Sequence, residues 1–142
     1  MKLKTYRLPL GWQVSFPADW QHEYIEDDAQ NVFYPEDSDL TFHITAFHAE
    51  KEGAPAAPAI MYTVFQRSIP ENCTQISLPE LKIAGCRTYI VRTAETENGQ
   101  QVTRIIAGVY CAGELLITNI FGTNPQTVTE AMAYLSFIIR HS

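Results

Sequence analysis

Apolar and polar residues alternate over several short segments of residues 1–48, which is the pattern of half-buried β-strands. In residues 12–16 (WQVSF), three apolar side chains share one face, and the same period of two recurs over residues 40–48. Shorter β-rich segments lie at residues 4–8, 22–26 and 31–34. Because acidic turns follow the last two of these, the first third of the chain is predicted to form an antiparallel meander with its acids at the bends.

Longer alternating segments follow at residues 86–95 and 100–111, with an Asn-Gly pair between them at 98–99. Asn-Gly between two β-rich segments is the strongest short-range signal of a β-hairpin, because both residues accept a positive φ. An Ala-Gly pair at 112–113 marks another turn. Residues 114–121 (ELLITNIF) are therefore predicted to form the next strand of a second meander.

Two segments carry apolar residues at the spacing of an amphipathic helix. The first is predicted to begin at Pro58, to bury a stripe that includes Phe65, and to end before Pro70. The second is predicted to begin after Asn124, a good N-cap, with Pro125 in its first turn, and to continue to the end of its apolar stripe. That stripe consists of Val128, Ala131, Met132, Leu135, Ile138 and Ile139.

Together these elements predict an α+β fold, in which an antiparallel β-sheet of five to seven main strands is flanked by two main α-helices. The pattern leaves open whether the helices cover one face of the sheet or one face each. A chain of 142 residues suits one domain, and no repeat or linker divides it, so residues 1–142 are predicted to form a single domain.

Composition narrows the class of protein. No apolar segment approaches the length of about 20 residues that a membrane span needs, and the N-terminus lacks the apolar core of a signal peptide, so a cytoplasmic location and no membrane partner are expected. The three cysteines have no Cys-x-x-Cys spacing, which favours buried free thiols over a disulfide framework or a zinc site.

Charge is distributed unevenly along the chain. The formal net charge is −6, which argues against nucleic acid as a partner. Between Arg7 and Lys51 there are nine acidic residues and no lysine or arginine. The two acidic bends supply the candidate partner-binding residues, which are Glu26, Asp27, Asp28, Glu36, Asp37 and Asp39. They are consistent with solubility and protected sheet edges, or with docking of a basic protein partner.

Candidate chemistry is sparse. The chain has no Gly-x-Ser-x-Gly and no Ser-x-x-Lys motif, and neither helix follows a glycine-rich phosphate loop. His43 and His48 are spaced for opposite faces of one strand, so they do not converge on a metal ion. We therefore expect no catalytic residue, no metal site and no cofactor.

The start of the chain, YRLPLGWQVSFPADW, contains a strand–Pro–x–x–Trp pattern carried by Phe16, Pro17 and Trp20. This pattern, the short acidic meander, the mid-chain helix, the long hairpins and the closing helix resemble the PsbP-like superfamily, which includes the DcrB-like bacterial proteins. Among them the chain looks most like small bacterial members with no assigned activity. The resemblance implies an α/β/α sandwich and a binding or assembly role.

The sequence therefore predicts a non-enzymatic protein-binding or adaptor domain that docks through its acidic N-terminal meander. An immunity protein of a bacterial toxin system is one concrete form. The alternative is a small-ligand-binding domain or an enzyme with a pocket between helix and sheet, rimmed by residues among Trp20, Tyr34, Tyr62 and Tyr89. Trp20 itself is interpreted either as a cap over the core edge or as a surface for ligand stacking. The oligomeric state stays open.

Overall fold

The computed structural model describes residues 2–48, 50–51, 54–55, 58–71, 73–83 and 85–141. The strands of the first half are β1 (Leu3–Arg7), β2 (Trp12–Pro17), β3 (Gln21–Ile25), β4 (Gln30–Tyr34), β5 (Thr41–His48), β6 (Glu50–Lys51) and β7 (Ala54–Pro55). Helix α1 (Pro58–Arg67) is followed by β8 (Thr74–Ser77), β9 (Arg87–Glu97), β10 (Gln100–Cys111) and β11 (Glu114–Gly122). Helix α2 (Pro125–Ala131), a 3-10 segment (Met132–Phe137) and β12 (Ile139–Arg140) close the chain.

Seven strands form one antiparallel sheet in the order β3-β4-β5-β11-β10-β9-β8. A smaller sheet has the order β1-β2-β12, and β6 pairs with β7. The predicted hairpin between β9 and β10 is confirmed, because Asn98 and Gly99 both adopt positive φ values, 51° and 79°, as a two-residue primed turn requires. The predicted α+β class is likewise confirmed.

Alternate residues of the central strand β11 serve two separate cores. Leu116 and Ile120 belong to the larger core cluster, whereas Leu115 and Ile117 belong to the smaller one. Both faces of the seven-stranded sheet are therefore covered, which explains why β11 is buried along nearly its whole length.

The larger cluster is closed by the small sheet together with α2 and the 3-10 segment. In β2, the predicted alternation is confirmed, since Trp12, Val14 and Phe16 are at most 2% exposed. Val128 and Ala131 of α2 are buried in the same cluster. The cover of this face is thus part sheet and part helix rather than helix alone.

The prediction of one long closing helix is wrong. The α-helix ends at Ala131, continues as a 3-10 segment to Phe137, and gives way to β12, which pairs with Gln13 and Trp12 of β2. The pairing overrides the helical periodicity, and it leaves Ile138 buried but Ile139 exposed, as alternation along a strand requires. Neither helix of the described chain has the length and hydrophobicity to cross a membrane.

Helix α1 packs on the opposite side, over the smaller cluster, through Met61 and Phe65. Its approach to the sheet depends on Gly108 of β10. A Cβ atom at residue 108 would lie 2.7 Å from Cδ1 of Phe65, which is far inside van der Waals contact. Glycine at this position therefore allows the Phe65 ring to lie directly on the β10 backbone.

Replacing Gly108 with valine is expected to destabilise the protein by about 2 kcal/mol, because the overpacked Phe65 ring must lift α1 from the sheet. Urea unfolding measures the change. In the double variant Gly108→Val/Phe65→Leu, the smaller side chain at residue 65 should relieve the clash. The double variant should therefore lose less free energy of unfolding than the sum of the losses of the two single variants. Simple additivity of the two losses would contradict the proposed contact.

Candidate functional site

Trp20 lies just beyond the end of β2 and packs over the edge of the larger core. Its backbone N–H donates to the carbonyl of Pro17 at 3.0 Å, which turns the chain back over the strand. The indole stacks on Phe16 with 5.4 Å between ring centroids, and it meets Tyr134 edge-on at 5.2 Å. The indole is nevertheless only partly buried, so it also contributes to the surface.

The surface beside Trp20 is a cleft with a volume of about 470 Å³. Trp20 and Pro35 form its apolar part, and the other lining residues are the acids Asp19, Glu36 and Asp37. We call this depression the acidic cleft. Its three carboxylates come from the turn after β2 and from the loop between β4 and β5, two chain segments that lie next to each other only in the folded protein.

A second depression, of about 230 Å³, adjoins the acidic cleft because Trp20 and Pro35 line both. Its far side is formed by α2 and the 3-10 segment, which contribute Thr127, Glu130 and Tyr134. Among the described residues that line the two depressions, four are acids and none is a lysine or arginine. Trp20 is therefore the centre of a concave surface whose charged lining residues are all acidic.

The titration of Tyr34 reflects the same local charge. Its pKa is raised above the ordinary value of 10.0, first by partial desolvation, then by a hydrogen bond with Glu23 and by the negative charges of Glu23 and Glu36. A phenol resists losing its proton where neighbouring carboxylates already create a negative potential. The charges of Glu23 and Glu36 thus make the surroundings of Tyr34, the last residue of β4, negative.

The six predicted partner-binding residues do not form one patch. Glu36 and Asp37 line the acidic cleft, whereas Glu26, Asp27 and Asp28 lie in the turn at the opposite end of β4. Five residues of β4 separate the two turns, which is about 17 Å at about 3.4 Å per residue. Successive turns of a meander point to opposite sheet ends, so the sequence run of acids is divided in space. Binding by either group stays a prediction.

Asp39, the sixth of these residues, has a structural role. Its carboxylate accepts hydrogen bonds from the backbone N–H of Thr123, at 3.2 Å, and from the Thr123 hydroxyl. The next residue, Asn124, caps α2 by accepting from the backbone N–H groups of Gln126 and Thr127. Asp39 therefore connects the loop after β4 to the start of α2. These two segments line opposite sides of the second depression.

The residues proposed to rim a ligand pocket also separate. Tyr62 and Tyr89 lie with 4.8 Å between their ring centroids and line a pocket of about 170 Å³ beside α1. Trp20 packs against the other core cluster, on the opposite face of the sheet. Small-ligand sites usually enclose about 300–1,000 Å³, so the tyrosine pocket is small for one.

The histidines have partners within the fold. His22 donates to Asn31 at 2.8 Å, His43 donates to Gln30 at 3.2 Å, and His48 donates to Glu114 at 2.5 Å. Burial lowers the pKa of His43, and the charge of Arg104 lowers it further, while Asp28 opposes them. Across the described residues, no three histidine, cysteine, aspartate or glutamate side chains are grouped to hold a metal ion.

Sequence reasoning missed two members of the site and one buried ion cluster. Asp19 and Glu130 join the cleft surface from distant positions, and only Asp19 had a local signal, its place directly before Trp20. Glu114 is 6% exposed and lies 3.7 Å from Arg140, an arrangement that nothing in the strand pattern indicates.

Comparison with known proteins gives a fold and no activity. No protein-family model matches the chain, and no curated protein sequence matches it. Among solved structures, a protein from Bacteroides thetaiotaomicron matches with a TM-score of 0.75 at 14% identity, over 100% of this chain and 50% of that one. The chain thus spans half the length of the Bacteroides protein.

Two other solved structures match over most of their own length. Cyanobacterial PsbP (CyanoP) from Synechocystis sp. PCC 6803 has a TM-score of 0.68 at 12% identity, covering 98% of this chain and 92% of that one. LpqN of Mycobacterium tuberculosis, involved in cell envelope biogenesis, has a TM-score of 0.60 at 15% identity, covering 99% and 91%. Identities this low establish shared architecture alone. The resemblance inferred from Phe16, Pro17 and Trp20 is confirmed at that level: this chain has the PsbP-like fold.

Proposed function

We propose that this chain is a non-enzymatic binding domain that docks a basic segment of a protein partner in the acidic cleft. The observation that carries the proposal is the grouping of Asp19, Glu36 and Asp37 around one partly exposed indole. Carboxylates pair with arginine and lysine, and the face of a tryptophan ring attracts a cation within about 6 Å. The three acids and Trp20 together suit a cationic side chain.

The second depression extends this surface. Because Trp20 and Pro35 line both depressions, a bound segment can pass the indole and reach Glu130 on α2. Arginine is favoured over lysine, since its planar guanidinium can stack on an indole while it donates to a carboxylate. The net charge of −6 would raise the rate of encounter with such a partner.

A protein segment is a better occupant than a small molecule. Small-ligand sites are lined mostly by apolar side chains, whereas three of the five residues that line the acidic cleft are acids. The concrete form that we favour is an immunity or adaptor protein of a bacterial toxin system, because a toxin that acts on nucleic acid needs a basic surface for the phosphates. Such a surface is complementary to this cleft.

The test uses a fluorescein-labelled peptide of eight arginines and the full chain, with binding followed by anisotropy at low salt and at about 0.15 M salt. The variant Asp19→Asn/Glu36→Gln/Asp37→Asn is expected to bind about tenfold more weakly, since each exposed pair contributes about 0.5 kcal/mol. The matched control, Glu26→Gln/Asp27→Asn/Asp28→Asn, removes the same three charges from the other end of β4. At about 0.15 M salt, where charges are screened over about 8 Å, the affinity of this control should stay within about twofold of that of the unmodified protein.

Equal weakening of binding by both triple variants would mean that net charge alone attracts the peptide, and it would overturn the cleft. Absence of binding at low salt would do the same. A second readout locates the peptide: the indole N–H signal of Trp20 should move in the nitrogen–proton NMR spectrum, while that of Trp12, which is 1% exposed, should not.

Two finer assignments belong with this proposal. The layering is inferred to be that of an α/β/α sandwich, which the packing of α1 against one core cluster and of α2 against the other supports. The location is proposed to be the cytoplasm, which the three reduced cysteine thiols support, since secreted proteins more often pair theirs in disulfides.

A further inference from the structure

The fold brings two cysteines together at one end of the large sheet. The register of β9 and β10 pairs Arg87 with Tyr110. Continued by one step, the same register places Cys86, the residue before β9, opposite Cys111, the last residue of β10. Both side chains pack against the larger core cluster, and Cys111 is close enough to raise the pKa of Cys86. Both side chains are partly exposed, in contrast to the buried thiols that the sequence favoured.

We propose that Cys86 and Cys111 form a redox-active dithiol, which a low-molecular-weight disulfide oxidises to an intramolecular disulfide. Directly opposite residues of an antiparallel pair have Cα atoms about 4.5–5.5 Å apart. A disulfide needs about 4.4–6.8 Å between its Cα atoms, so the strand pairing already supplies the separation. Both side chains pack against the larger core cluster, so the two cysteines lie on the same face of the sheet.

The exchange balances in two steps. A cysteine thiolate attacks the small disulfide, so that a protein–small-molecule S–S bond forms, the original S–S bond breaks and one small thiol leaves. The second cysteine thiolate then attacks the protein sulfur, which forms the Cys86–Cys111 bond and releases the second small thiol. The two protein thiols are oxidised, the small disulfide is reduced to two thiols, and these take up the two protons.

The surroundings make the reaction slow at neutral pH. Burial raises the pKa of Cys86 to about 11, the neighbouring Cys111 adds to the rise, and the positive charge of Arg140 opposes it. Arg140 belongs to β12 and lies beside Glu114 of β11, which in turn binds His48 of β5. With that pKa, only about one Cys86 thiol in ten thousand is ionised at pH 7, and the thiolate fraction rises about tenfold per pH unit.

The dithiol is independent of the proposed docking function. Cys111 pairs with Glu114 of β11, which in turn pairs with His48, the last residue of β5. The loop that carries Glu36 and Asp37 precedes the first residue of β5. The eight residues of β5 separate these ends by about 27 Å. Oxidation would join the residue before β9 to the last residue of β10. In the unfolded chain, the disulfide would close a loop of about 25 residues.

The experiment incubates the full chain with oxidised glutathione at pH 8.5 and follows the products by mass spectrometry without reduction. The expected product is about 2 Da lighter than the starting protein, and its cross-linked peptide contains Cys86 and Cys111. Its Tm should be about 10 °C higher than that of the reduced protein and should return on reduction. The rate should rise as the pH is raised from 7 to 9, because the thiolate is the attacking species.

Three variants serve as controls. Cys86→Ser and Cys111→Ser should both abolish the cross-link, and each should leave a mixed disulfide with glutathione on the remaining cysteine. Cys73→Ser should react as the unmodified protein does, because Cys73 donates to the carbonyl of Pro70 in the segment after α1. A stable mixed disulfide on the unmodified protein, a cross-link that includes Cys73, or an unchanged Tm after cross-linking would overturn the proposal.

Discussion

Replacing Phe16 with alanine is expected to lower the free energy of unfolding by about 4 kcal/mol, the cost of removing a large ring from a closed core. Phe16 belongs to β2 of the small sheet and is 2% exposed. Its ring lies 4.4 Å from that of Phe33 and 4.8 Å from that of Phe42, both in the large sheet. It also supports Trp20 at 5.4 Å. Phe16 thus packs between the two sheets and supports Trp20, which lines the acidic cleft.

Urea unfolding and thermal melts measure this loss, and the Tm should fall by about 10–15 °C. The matched control is Phe137→Ala, the same substitution at a residue that is 41% exposed and only 6.5 Å from one ring, that of Tyr134. This control should lose less than about 1 kcal/mol of the free energy of unfolding, because the Phe137 side chain buries little apolar surface on folding. If both variants lost the same free energy of unfolding, the packing of Phe16 between the two sheets would not be what stabilises the protein.

Strand and turn predictions succeeded where the signal is local. The alternation in residues 12–16 places Trp12, Val14 and Phe16 in the core as expected, and the Asn-Gly pair forms its hairpin. Each of these outcomes depends on a few neighbouring residues, whose spacing or backbone freedom leaves one favourable arrangement.

The closing helix failed because a distant strand competes for its last residues. The apolar stripe reads as helical through Ile139, but Ile139 and Arg140 pair with Gln13 and Trp12 of β2. Nothing within the last twenty residues indicates that pairing. A local periodicity cannot predict an end that is determined by a strand from the other end of the chain.

The candidate site was predicted only in part, because it too depends on how distant segments of the chain are arranged. Acids adjacent in sequence were expected to act together, yet the meander sends its two turns to opposite sheet ends. The cysteine pair is a different case, because the sequence contained the signal. A two-residue turn at Asn98-Gly99 fixes the register of β9 and β10, and that register alone places Cys86 opposite Cys111.

Among the residues whose burial the structure describes, Glu114 is the one acid that the fold encloses almost completely. Its Oε1 atom accepts from His48 at 2.5 Å and lies 3.7 Å from a guanidinium nitrogen of Arg140. Among the described residues its Oε2 has no hydrogen-bond partner, and neither has Nε of Arg140. Arg140 also lies over the ring of Trp12, 6.0 Å from its centroid. The carboxylate thus joins β5, β11 and β12, and it compensates a largely buried positive charge.

Replacing Glu114 with leucine is therefore expected to cost about 4 kcal/mol, because it leaves the Arg140 charge buried without its partner. The double variant Glu114→Leu/Arg140→Leu should be more stable than Glu114→Leu alone, by at least about 2 kcal/mol, since an apolar pair needs no compensation. Urea unfolding at two salt concentrations measures both, and the single loss should change little with salt, as screening hardly reaches an enclosed pair. Glu97→Leu, at an exposed position of β9, is the matched control with a loss below about 0.5 kcal/mol. A double variant no more stable than Glu114→Leu would mean that Glu114 acts through packing and not by balancing the charge of Arg140.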